Sequence, residues 1–269
     1  MFKITKLLAI LMAVAVPFAA AASASADGET VSARTKVSPL RGKFHKKTRV
    51  ASNLTVSAVV TPGASSPTVN PLKRVNLVFP AGTGLRPNRN VCPDSKLNPQ
   101  SSLSVPKAVV ARCSKAVVGT GTALIYLARL KAQPLDDPVL IVFNAGKTKK
   151  GQPKLKIYGF SKSTGVGVLM SGVLKGRKLS IAVPVLTSDS AVGNFKIQMP
   201  GPVLNRPDIG LKIKGKNPRY VQASCPHSPL VTQASFVLGQ RDFATGQPIP
   251  GTQRTVASPK WVQKCVGRG

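Results

Sequence analysis

The side chains that most often carry chemistry are scarce in this sequence and poorly placed for it. Only two histidines occur, His45 and His227. His45 sits in a basic stretch with no acid beside it, and His227 follows Cys225-Pro226 in a turn-like context. A Ser-His-Asp triad needs a histidine oriented between an acid and a nucleophile, and no G-x-S-x-G marks a serine for that role. Glycoside hydrolysis needs two carboxylates facing each other across a cleft. Asp136 and Asp137 are adjacent, framed by Pro134 and Pro138, and neighbouring side chains on extended backbone point apart. Val118-Gly119-Thr120-Gly121-Thr122-Ala123 has the glycines of a phosphate loop without its G-K-[ST] ending. Those glycines point instead to a bulge or to two backbones packed closely. The expectation is a chain with no catalytic residue, no cofactor and no metal site.

The four cysteines are Cys92, Cys113, Cys225 and Cys265. An even number in an exported chain reads as a disulfide framework, with three pairings to choose from. Local pairing, Cys92 with Cys113 and Cys225 with Cys265, closes the two shortest loops. Chain-entropy reasoning gives each such loop roughly 3–4 kcal/mol. The alternative is a four-cysteine zinc site, whose ligands usually arrive in close C-x-x-C pairs; no such pair is present.

Charge is the stronger signal. The chain carries 39 Lys plus Arg against 8 Asp plus Glu, a formal net charge of +31. After Glu29 the acids are Asp94, Asp136, Asp137, Asp189, Asp208 and Asp242. Most cations therefore lack a carboxylate, and their summed field attracts phosphate and carboxylate polymers; solubility alone is the competing account. One cluster runs from Arg41 to Arg49 and holds Lys43, Lys46 and Lys47. A second, the loop 144–154, holds Lys147, Lys149, Lys150 and Lys154. Period-two alternation puts Lys154 and Lys156 on one strand face, opposite Leu155 and Ile157. Lys196, and Lys212 with Lys214, repeat the pattern. If these strands pair, one sheet face carries a lysine ladder; on edge strands the same residues would discourage aggregation. Aromatic residues make up only 5%, too few for base stacking, so sequence-specific nucleic-acid binding is not expected. Trp261 reads as core.

The elements that position these residues are strands. Leu54, Val56, Ala58 and Val60 alternate with Thr55, Ser57 and Val59, and Val75, Leu77 and Phe79 with Arg74, Asn76 and Val78. Similar runs recur to Trp261–Cys265, about eleven or twelve strands in all, which suggests an antiparallel β-sandwich, immunoglobulin-like or jelly-roll-like. Apart from the N-terminus no segment shows a 3.6-residue apolar period, although a short helix fits between Lys96 and Ala111. Residues 132–138 are a candidate boundary between two sub-sandwiches. At the N-terminus, Lys3 and Lys6 precede an apolar run from Leu7 to Ala22 and then Ala24-Ser25-Ala26. That order is a secretory signal peptide, cleaved near Ala26, and no transmembrane segment is expected in the mature chain. Residues 27–44 read as a flexible basic segment and 45–269 as the sandwich.

Ala111-Arg112-Cys113-Ser114-Lys115-Ala116-Val117-Val118-Gly119-Thr120-Gly121-Thr122-Ala123 resembles a stretch, C-P-x-x-S-x-V-G-x-G-x-A, found in uncharacterised secreted proteins of soil actinobacteria. Leu77 to Gly82, Cys92-Pro93 and Tyr220 to Pro226 fit the same pattern, over about residues 45–265, while Ser114 and Ala116 depart from it. The resemblance implies secretion and two disulfides. The reading reached from sequence is a secreted or cell-envelope, non-catalytic module for anionic polymers or polysaccharide. A hydrolase with an unrecognised site and a purely structural envelope protein are the alternatives.

Overall fold

The structure is a computed structural model. It describes residues 28–64, 68–97, 103–184, 190–240, 242, 244, 245, 247 and 249–269. The signal segment therefore lies outside the described residues.

Alternating sequence becomes alternating burial. β1 (Thr30–Pro39) buries Val31, Ala33, Thr35 and Val37 and exposes Thr30, Ser32, Arg34 and Lys36. It pairs antiparallel with β3 (Val50–Thr61) along its whole length. Residues 30–39 are thus a full strand, not the loose segment expected from their charge. Only every second residue needs to be apolar to hold a half-buried strand. Between them lies β2 (Phe44–His45), followed after β3 by β4 (Leu72–Val78) and β5 (Gly84–Leu85). The helix anticipated near residue 100 is α1 (Pro106–Arg112), with proline in its first turn.

β6 (Val117–Tyr126) carries the glycine-rich segment. A Cβ on Gly121 would lie 2.2 Å from the carbonyl oxygen of Lys196, and one on Gly119 2.6 Å from that of Gln198. Glycine is required because the neighbouring strand passes against this backbone. β7 (Pro134–Leu135), β8 (Val139–Lys147), β9 (Pro153–Ser161), β10 (Val166–Lys175) and β11 (Lys178–Ala182) follow. Then come β12 (Ala191–Met199), β13 (Leu204–Arg206), β14 (Leu211–Ile213) and β15 (Val221–Ala223). β16 (Leu230–Leu238), β17 (Arg254–Ala257), β18 (Trp261–Gln263) and β19 (Gly267–Arg268) complete the chain.

The fold is all-β and antiparallel, sandwich-like. One 15-stranded sheet runs in the order β17-β16-β4-β11-β10-β9-β8-β6-β12-β3-β15-β5, with β1 on β3, β18 on β16 and β7 on β6. Two short pairs, β13 with β14 and β19 with β2, stand apart from it. Residues 132–138 do not divide the sheet: β7 pairs with β6, and β12 from the second half lies between β3 and β6 from the first.

The sheet folds over until β1 lies beside β16 and β18. The outer edge of β1 is then closed by side chains in place of a backbone ladder. Val37 N–H donates to Gln263 Oε1 at 2.8 Å, and Gln263 Nε2 donates back to the Val37 carbonyl at 2.6 Å. Trp261 Nε1 donates to the Thr35 carbonyl and Ala33 N–H to Ser258 Oγ. Trp261 is half-buried, with the Arg34 guanidinium over its ring.

Two apolar cores result. The larger fills the inside of the folded sheet, with Leu54, Leu77, Val142, Ile157, Ile197 and Phe236 among its members. The smaller lies on the opposite face of β8 and β9, where Ile141, Phe143, Tyr158 and Phe160 are covered by Leu97, Val109, Val110, Leu211 and Ile213. The Cys92–Cys113 disulfide, Cα–Cα 5.5 Å, staples that cover. The second, Cys225–Cys265, has Cα–Cα 6.1 Å and ties β15 to the C-terminal segment. Both pairings are the local ones.

Candidate functional site

The basic cluster 41–49 is built into a larger surface by two pieces of β structure. β19 pairs parallel with β2, setting Arg268 beside His45, and Lys46 N–H donates to the Arg268 carbonyl at 2.9 Å. The His45 carbonyl in turn accepts from Cys225 N–H, so the Cys225–Cys265 disulfide carries Lys264 to the same place. On the other side, β15 bridges β3 to β5. The Arg49 guanidinium lies against Gly84, where a Cβ would meet Nη1 at 2.8 Å. Arg86 N–H donates to the Tyr220 carbonyl, next to Arg219. Arg41, Lys43, Lys46, Lys47, Arg49, Arg86, Arg219, Lys264 and Arg268 are all exposed. Among the described residues none of them is in an ion pair.

The surface continues towards the second cluster. Asn144, fully buried at the base of the β8–β9 hairpin, donates to the carbonyls of Pro87 and Arg89. This holds the segment carrying Arg86 and Arg89 against the hairpin whose turn exposes Lys147, Lys149 and Lys150. Beyond Arg219 lie Lys212, Lys214 and Lys216, also exposed, with Lys216 N–H bonded to the Val117 carbonyl. The result is a basic band.

The lysine ladder on one sheet face does not form. Lys212 belongs to the separate β13–β14 pair and Lys214 just follows it. Lys196 is exposed on β12 between Ser57 and Thr122, away from the others. Lys156 is buried: its ammonium donates to the Leu97 carbonyl at 3.2 Å and lies 3.0 Å from Asp94 Oδ1. Lys154 meets Asp94 Oδ2 at 2.6 Å. The Lys154 hydrogen bond, helped by Lys156, holds the Asp94 carboxyl below its ordinary range against partial desolvation. Lys154 and Lys156 are therefore structural, because the second core covers the face they were expected to present to solvent.

Of the remaining described acids, Asp136 is exposed and the other four are engaged. Arg206 grips Asp208 with two hydrogen bonds, of 2.9 and 2.8 Å, and lowers its pKa to about 2. Asp137 accepts from Ser161 Oγ and Ser163 N–H. Glu29 is buried, pairs with Arg254 and accepts from Asn70 N–H at 2.8 Å. Asp242 caps a turn through Thr245. Among the described residues no three His, Cys, Asp or Glu side chains converge as metal ligands.

Sequence reasoning missed Arg86, Arg89, Arg219, Lys264 and Arg268 as members of this band. Lys264 was accessible through its neighbour Cys265; the β2–β19 pairing that brings in Arg268 has no sequence signature.

A second concavity lies inside the folded sheet. An apolar cavity of about 100 Å³ is lined by residues of β4, β6, β8, β9, β10, β11 and β12, with Ser190 contributing the polar side chain of its wall. A void of that size costs about 2 kcal/mol in lost packing at about 24 cal/mol per Å³. A smaller one of about 30 Å³ adjoins it.

Compared with protein-family models, curated proteins and solved structures, the chain finds no match in any of the three.

Proposed function

We propose that this chain is an exported, non-catalytic module that binds anionic polymers of the cell envelope or its surroundings through the basic band. The observation that carries the reading is the union of Arg41–Arg49 with Lys264 and Arg268, cations free of ion pairs on a disulfide-tied surface. Fixed cations held within about a Debye length of one another, roughly 8 Å at physiological salt, act jointly on a polymer's charges. Each phosphate or carboxylate neutralised releases counterions, so affinity falls with salt in proportion to the contacts made. Export is supported by the signal-like N-terminus, by the two disulfides, and by the absence among the described residues of any helix long and apolar enough to cross a membrane.

The test is binding of residues 27–269 to a glycerol-phosphate polymer, a uronic-acid polysaccharide, duplex DNA and neutral dextran, each titrated with NaCl. Retention of one anionic polymer at about 0.15 M salt, with a shallower salt slope in Lys46→Glu/Arg268→Glu than in Lys196→Glu, is the expected result. Equal binding to every polyanion that collapses with salt would reduce the band to a non-specific field. No binding at any salt would remove the reading and favour a structural role.

A further inference from the structure

We infer that the interior of the folded sheet is a binding site for a single hydrocarbon chain, separate from the basic band. The two adjoining voids share Val75, Ile157, Ile181, Phe195 and Ile197, so they meet at one apolar ring. Along β9 the lined wall runs from Leu155 in the smaller void to Gly159 in the larger. At about 3.3 Å per residue that is about 13 Å, a slot along the strands. Such a shape suits a chain better than a fused ring system.

The lining chemistry agrees. No charged side chain lines either void, and Ser190 is the one polar side chain of their walls. Inward-facing Ala123, Met170, Val183, Val192 and Phe195 pack on the core yet remain only partly buried. Inward apolar residues normally lose their exposure to close packing. Here the wall is intact and the space between its sides is left open. Apolar cavities of comparable size stay dry and accept small hydrocarbons, and antiparallel sheets that close around a lumen commonly enclose such ligands. A neutral or weakly polar chain is the occupant this lining would take.

The chain offers its own reporters. Of its four methionines, Met1 and Met12 precede Ala26, Met170 lines the larger void and Met199 the smaller. The protein made with 13C-methyl methionine and titrated with 1-hexanol should show a saturable shift of the Met170 methyl, unchanged by 0.5 M NaCl. Ala123→Phe, which fills the slot, should weaken the response by about tenfold or more. Should that variant fail to fold, Val168→Trp, at a residue that also lines the larger void, makes the same test. Two unmoved methyls up to the solubility limit of hexanol would overturn the inference. So would a response abolished by salt and insensitive to the filling variants, which would assign the effect to surface charge.

Discussion

At the scale of single residues, the two deepest tyrosines make opposite predictions. Tyr158 donates its hydroxyl proton to the Leu103 carbonyl at 2.5 Å, whereas the Tyr220 hydroxyl is buried with no hydrogen-bond partner among the described residues. Removing a paired hydroxyl costs about 0.5–1.5 kcal/mol, while removing an unpaired one is neutral or favourable. Tyr158→Phe should therefore lower the denaturation midpoint in urea, and Tyr220→Phe should leave it unchanged or raise it. Asp94 supplies a second contrast. Asp94→Asn removes the negative charge facing the buried Lys156 ammonium and leaves it neutral oxygens alone, and should destabilise by about 1–3 kcal/mol. Lys156→Met removes the charge and keeps much of the volume, so it should cost less than Asp94→Asn. Because the folded pKa of Asp94 is depressed, its contribution is present above the unfolded value near 3.9 and is lost as pH falls below it. Asp208 adds its own acid-labile contribution, fading between about 3.9 and its folded pKa of about 2. An acid titration of wild type against Asp94→Asn should show the two stabilities converging below pH 4. Part of this was readable: Lys154 and Lys156 share their face with Tyr158 and Phe160, and two aromatics in that row signal a covered face. What covers it, α1 with β14, comes from distant sequence and could not be read from the strand.

At the scale of elements, β1 shows how a charged segment becomes structural. Its alternation Val31, Ala33, Thr35, Val37 was present in the sequence, but Arg34 and Lys36 between those residues drew the eye to charge. The same period-two signal is plain in β3, whose outward positions carry no charge. The clasp across the outer edge of β1 could not be foreseen, because it joins residues 226 positions apart through side chains. That clasp has a measurable consequence. Gln263→Ala leaves the Val37 amide and carbonyl without their partner, and should cost about 1–3 kcal/mol. Amide exchange separates this from a general loss of stability. The Val37 amide should exchange faster in the variant by more than the global change allows, while amides of β8 and β9 follow the global change. Equal acceleration everywhere would mean that β1 opens only with the whole sheet.

At the scale of the whole molecule, the decisive quantity is the charge that the fold does not neutralise. Two of the cations behind the formal +31, Lys3 and Lys6, precede the described residues, and among the described residues few of the others reach an acid. The two disulfides and the long sheet hold together a body that repels itself. Screening should then stabilise it: the Debye length falls from about 30 Å at 0.01 M salt to about 10 Å at 0.1 M. The melting temperature of residues 27–269 should rise over that range of NaCl. A polymer that fits the band should do more than simple salt, because it binds the folded state at a fixed arrangement of cations and stabilises it by mass action. At equal ionic strength the anionic polymer retained in the binding panel should raise the melting temperature above the NaCl value. Lys46→Glu/Arg268→Glu should lose that increment while keeping the response to NaCl. If polymer and NaCl act alike, the charge opposes folding but recognises nothing in particular, and the band would serve solubility alone.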